Sequence, residues 1–81
     1  MNITLKLFSI AKDLAGFEER LLQLNDGERA EAVLNHLAGV NPRFAQWKSS
    51  MRLAVNLEYV TNNHPLRDGD EVAVIPPVSG G

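Results

Sequence analysis

Apolar and polar residues alternate from the first residues of the chain. In MNITLKLFS, Met1 to Ser9, Ile3, Leu5 and Leu7 fall on one side while Thr4 and Lys6 fall on the other. A period of two predicts a strand. IAKDLAG then carries one or two helical turns, with Gly16 placed to close them in the left-handed conformation. Strand character resumes in FEERLLQL, Phe17 to Leu24, close enough to the first strand for an antiparallel pair around the short helix.

The pattern changes period in ERAEAVLNHLAG. Ala30, Val33, Leu34, Leu37 and Ala38 recur at i, i+3, i+4, i+7 and i+8, which makes one apolar stripe suited to a sheet. This main helix is expected over about Ala30 to Ala38, with Gly39 as its stop and Asn25 or Asp26 as its cap. NPRFAQWKSS predicts a second helix, capped by Asn41 and started by Pro42, that sets Phe44 and Trp47 on one face. Phe44, Trp47 and Met51 are therefore expected in the core.

RLAVNLEYV is extended again, with Leu53 and Val55 alternating against Ala54 and a tight turn at Asn56-Leu57. Asp68-Gly69 marks a turn that launches a last strand, Glu71 to Ile75, and Pro76 and Pro77 end it by removing two donors. The order is strand, strand, helix, short helix, strand, strand. If the first and last strands pair in parallel, the result is an α+β fold of the β-grasp type: a mixed sheet of four to five strands packed on one main helix plus short helices. The expected division is residues 1–75 as the β-grasp domain and 76–81 as an extended C-terminal diglycine tail.

Composition narrows the chemistry. The 81 residues form one domain, 44% hydrophobic and 22% charged, with a net charge of −2. That balance argues against nucleic acid or an anionic membrane as partner, and no signal peptide or long apolar span is visible, so a cytoplasmic location is expected. The absence of cysteine excludes disulfides, cysteine nucleophiles and thiolate metal sites.

The remaining constellations are weak. Asp68, Asp70 and Glu71 surround a glycine, but the segment is too short for an EF-hand loop and reads as a solvated turn. His36 and His64 lack a ligand partner at helical spacing, so no metal site is expected. Ser49, Ser50 and Ser79 have no nucleophile-elbow context. Phe8, Tyr59, Val74 and Ile75 lie on strands that also supply residues of opposite parity, so several of them should face out of the sheet; a partner surface and a second small cluster under a loop both remain open for them.

The chain closes on IPPVSGG, Ile75 to Gly81. Two prolines favour an extended stem, and two glycines leave the last carboxylate sterically bare, able to pass a narrow channel. On composition alone, a frayed end and an activated acyl donor both remain open.

PLRDGDEVAVIPPVSGG, Pro65 to Gly81, resembles the C-terminus of the small subunit of molybdopterin synthase, the MoaD family of ubiquitin-like sulfur carriers. The similarity extends to Ala54, Val55, Asn56, Glu58, Tyr59 and Val60, to LFSIAKDLAG (Leu7 to Gly16), and to the total length. Two positions depart from it. Leu57 stands where a glycine or polar residue is common, and Val74-Ile75 replaces a bulkier aromatic pair.

The resemblance implies a sulfurtransferase subunit that is not catalytic alone, with the active site supplied by the large subunit. The Gly81 carboxylate, reached through Gly80, would be adenylated with ATP by a MoeB-like adenylyltransferase and converted to a thiocarboxylate, a C-terminal 1-thioglycine. The tail would enter a MoaE-like large subunit, in a heterotetramer of two small and two large subunits. There it would donate sulfur to cyclic pyranopterin monophosphate to build the molybdopterin dithiolene of the molybdenum cofactor. No bound cofactor or metal is expected on the small subunit. Phe8, Lys12, Tyr59 and Ile75, with Pro76, Pro77, Val78 and Ser79 of the stem, are the expected partner contacts. A sulfur carrier for thiamin or tRNA thiolation, and a protein modifier joined through Gly81 to a lysine, are the alternatives with the same tail chemistry.

Overall fold

The computed structural model describes residues 1–77. The period-two segment at the N-terminus is strand β1 (Asn2–Leu7), and its Ile3, Leu5 and Leu7 are buried. Helix α1 (Ser9–Ala15) follows and ends at Gly16, whose φ of 86° lets its N–H reach the Lys12 carbonyl at 2.9 Å. Strand β2 (Glu19–Gln23) returns antiparallel to β1, with Ile3 opposite Leu22.

Helix α2 (Glu31–Val40) lays Val33, Leu34 and Leu37 on the sheet. Its ends differ from expectation. Gly39 does not stop it; the helix continues through Val40, and the Asn41 N–H closes it on the Leu37 carbonyl at 3.0 Å. Neither Asn25 nor Asp26 caps it. The N–H groups of Ala30 and Glu31 donate instead to the carbonyls of His64 (2.8 Å) and Asn62 (2.9 Å), in the segment that precedes the last strand. Arg29 Nη1 fastens the same segment by donating to the Asn63 carbonyl at 2.7 Å. A distant stretch of backbone thus satisfies donors that a side chain would otherwise have to cap.

The predicted second helix breaks into two pieces. Helix α3 (Pro42–Ala45) starts as expected, with the Asn41 side chain accepting from Arg43 N–H, and a 3₁₀ turn occupies Lys48–Ser50. The Asn41 amide also donates to the Leu14 carbonyl and ties α1 to α3. Phe44 and Met51 are buried, but Trp47 is 37% exposed. Its expected core position is wrong because α3 ends at Ala45, so the i, i+3 face does not extend to residue 47.

Strands β3 (Arg52–Val55) and β4 (Glu58–Val60) form a hairpin whose two turn residues, Asn56 and Leu57, have φ of 51° and 72°. Positive φ at both central positions matches the twist of the flanking strands. Strand β5 (Glu71–Ile75) inserts between β1 and β3, parallel to the first and antiparallel to the second. The sheet order is β2-β1-β5-β3-β4, a mixed five-stranded sheet with its helices packed on one face. This is the ubiquitin-like β-grasp arrangement. Leu66, unremarked in the periodicity, completes the core from the long segment before β5. Pro76 is buried as well, one residue beyond the strand, whereas Pro77 is exposed.

Candidate functional site

Alternation along the strands sends one set of side chains to the helices and the other to the opposite face of the sheet. Val72 and Val74 of β5 go inward and are fully buried, so Val74 is not among the outward residues. Ala73 and Ile75 take the other face. The register extends this face in rows: Lys6, Ala73, Ala54 and Tyr59 lie side by side across β1, β5, β3 and β4, and Ile75 lies beside Arg52.

Tyr59 is 66% exposed on the edge strand. The Arg52 guanidinium stands 5.4 Å from the centre of its ring and links it to the Ile75 row. Phe8, 48% exposed, follows Lys6 by two residues and continues the same parity past the end of β1. Phe8 and Lys6 border a shallow hollow of about 230 Å³ with Glu18 and Glu19. Between Tyr59 and Phe8 the floor is made of Ala54 and Ala73; the rim carries the two aromatic rings and Arg52, and Lys6 is ion-paired there with Glu19 (3.8 Å) and Glu71 (3.5 Å).

The structure therefore places Tyr59 and Ile75 on one face, with Phe8 at the end of the neighbouring strand. Lys12 is exposed on α1, four residues beyond Phe8. Arg52, Ala54 and Ala73 were missed as candidate contacts, although the parity of RLAV against EYV through a two-residue turn already assigns the first two to the side of Tyr59. Of the stem, Pro76 and Pro77 follow β5 directly; Val78, Ser79, Gly80 and Gly81 lie outside the described residues.

Little else among the described residues is arranged for chemistry. They contain no group of three or more His, Asp or Glu able to hold a metal ion. The open hollow of about 380 Å³ beside the β3–β4 turn is lined by Asn56, Glu58, His64, Arg67 and Asp70, and its Asn56 and Asp70 side chains are committed to hydrogen bonds with the chain itself. No described helix is long and apolar enough to cross a membrane.

The model of the ThiS family matches residues 5–81. A molybdopterin synthase sulfur carrier subunit from Chlamydomonas reinhardtii is 36% identical over the whole of both chains. Among solved structures, a putative molybdopterin converting factor subunit 1 from Pyrococcus furiosus superposes with a TM-score of 0.85 at 28% identity, covering 96% of this chain and 99% of that one. A chain from the complex of subunits 1 and 2 of the molybdopterin-converting factor of Helicobacter pylori matches over the full length of both, at 27% identity and a TM-score of 0.66. The chain belongs to the ThiS family, and it is similar over its whole length to a molybdopterin synthase sulfur carrier subunit.

Proposed function

We propose that this chain is the sulfur-carrying subunit of a molybdopterin synthase. Its Gly81 carboxylate would be activated as an acyl adenylate and then converted to a thiocarboxylate. The observation that carries the reading is where β5 ends: this central strand stops at Ile75, beside Arg52 on the outward face that also holds Tyr59, and PPVSGG is the sequence that follows it. A free carboxylate is a poor acyl donor, and attack on the α-phosphate of ATP converts its oxygen into a leaving group. Glycine at the last two positions leaves both the phosphorus and the acyl carbon open to approach.

The outward face would dock the large subunit, which supplies the acids, bases and phosphate ligands for sulfur transfer to cyclic pyranopterin monophosphate. The sequence and name of the Chlamydomonas relative and the two-subunit complex from Helicobacter pylori support this assignment. A MoeB-like adenylyltransferase would use the same face during activation, so the two partners would bind in turn.

The test is the intact mass after incubation with an activating enzyme, ATP and a sulfur source. Replacement of one oxygen by sulfur adds about 16 Da, and fragmentation should localise the gain to Gly81. A mass that stays unchanged while a bona fide carrier in the same reaction is converted would reject the assignment.

A further inference from the structure

The two edges of the sheet are unequal. Strand β4 is three residues long, and the pairing of Val55 with Glu58 around the turn leaves only Tyr59 with its backbone groups directed away from β3. Strand β2 is longer, and its ladder can be read from the bonds at its ends. Leu7 N–H donates to the Glu18 carbonyl at 2.9 Å and Leu24 N–H to the Met1 carbonyl at 3.0 Å. Alternation then makes Ile3–Leu22 and Leu5–Arg20 the bonded pairs with β1, and turns the N–H and C=O groups of Glu19, Leu21 and Gln23 away from it. The Thr4 N–H, opposite Leu21, accordingly points to the other side and donates to the Asp70 carbonyl at 3.0 Å. Among the described residues, no other strand covers this row.

An uncovered row of this kind is a template for another strand. Leu21, at its centre, is 75% exposed, the most exposed apolar side chain on any strand of the sheet. We infer that β2 is a self-pairing edge that joins two copies of this chain through an antiparallel β2–β2 contact centred on Leu21. The sequence of the strand favours a second copy as occupant and selects the register. A two-fold axis at Leu21 sets Leu21 against Leu21 of the other copy and Glu19 against its Gln23, so the amide can donate to the carboxylate at both ends. Every outward N–H and C=O of both strands is then used. Centring on Glu19 or on Arg20 would oppose like charges, and centring on Leu22 would leave Glu19 without a partner. On the helix side, Arg20, whose guanidinium stacks 3.9 Å from the Phe17 ring, would lie across from Leu22 of the other copy. The contact leaves the Tyr59 edge free, since β2 and β4 are at opposite ends of the sheet.

Amide hydrogen exchange and sedimentation equilibrium on the full chain, up to about 1 mM, test this. The Leu21 amide should become protected as concentration rises, in step with the dimer fraction, while Tyr59 stays fast. Gln23→Glu places two pairs of like charges across the axis and should weaken dimerisation roughly tenfold. Adding Glu19→Gln to that variant restores the complementary pairs and should restore the wild-type constant. The inference is overturned by a chain that remains monomeric at 1 mM, by a dimer whose Leu21 amide stays unprotected, or by one indifferent to Gln23→Glu. Protection of Leu21 that arises only when a different protein is added would assign the edge to that protein instead.

Discussion

Asn56 and Asp70 hold the β3–β4 turn against the start of β5. Asn56 Nδ2 donates to Asp70 Oδ1 at 3.0 Å, its Oδ1 accepts from Glu71 N–H at 3.0 Å, and its own N–H donates to the Glu71 carbonyl at 2.8 Å. The second Asp70 oxygen accepts from Arg67 N–H at 2.8 Å. An asparagine in the left-handed region thus uses its side chain to continue the ladder between β3 and β5 where the backbone has already turned away. Asn56→Ala removes both side-chain bonds and strains the backbone, and should cost ~2–3 kcal/mol. Asn56→Gly relieves the strain and should recover part of that loss. Equal stabilities for the two variants, by urea denaturation, would show that the turn geometry carries no strain.

Leu57 presents the opposite case. It is 90% exposed and held at a φ of 72°, so its side chain contributes little burial while its backbone is unfavourable. Leu57→Gly creates the Asn-Gly pair suited to this turn and should stabilise the fold by up to ~1 kcal/mol, raising Tm by roughly 4–8 °C in a domain of this size.

The packing of α2 on the sheet is the largest single source of core burial from the helices. Leu34 is 1% exposed, and Leu34→Ala should cost ~2–5 kcal/mol, a large share of the ~5–15 kcal/mol available to a domain. Leu34→Asp should abolish the cooperative thermal transition, because the carboxylate would have no partner in the core. An unchanged melting curve for Leu34→Asp would mean that the stripe is not buried.

Ile75→Arg should leave the monomer folded, since Ile75 faces away from the helices, yet weaken binding to a molybdopterin synthase large subunit roughly thirtyfold, the loss expected for a ~2 kcal/mol apolar anchor. Arg52→Ala should weaken it less, because Arg52 contributes to the rim and to the orientation of Tyr59. Calorimetric titration of the two subunits measures both, and wild-type affinity for Ile75→Arg would remove the outward face from the docking surface.

Deletion of Gly81 should abolish sulfur transfer while leaving the melting temperature unchanged. One extended residue spans ~3.5 Å, and a misplacement of ~1 Å at a reacting centre already costs about a hundredfold in rate. The assay is dithiolene formation by a reconstituted two-subunit synthase supplied with chemically thiocarboxylated protein. Normal turnover by the shortened chain would end the proposal that Gly81 carries the sulfur.

Sequence alone determined the elements whose signals are local. The alternation of Ile3, Leu5 and Leu7, the stripe of Val33, Leu34 and Leu37, the left-handed stop at Gly16 and the turn residues at 56–57 and 68–69 each depend on neighbours within a few positions. The β-grasp order could be inferred from them because few ways exist to bury two strand pairs against one helix. What the sequence left open depended on contacts between distant segments. The start of α2 is capped by the carbonyls of Asn62 and His64, so no local residue could announce it. Gly39 remains helical because Asn41, tied to the Leu14 carbonyl, provides the stop two residues later. Trp47 lies partly in solvent because α3 ends before its face is complete. The outward face is assembled from Phe8, Arg52, Tyr59 and Ile75 only when β5 inserts between β1 and β3, and the free edge of β2 exists because that insertion leaves β2 at the end of the sheet. Local propensity chose each element, and long-range pairing decided which of their surfaces remained uncovered.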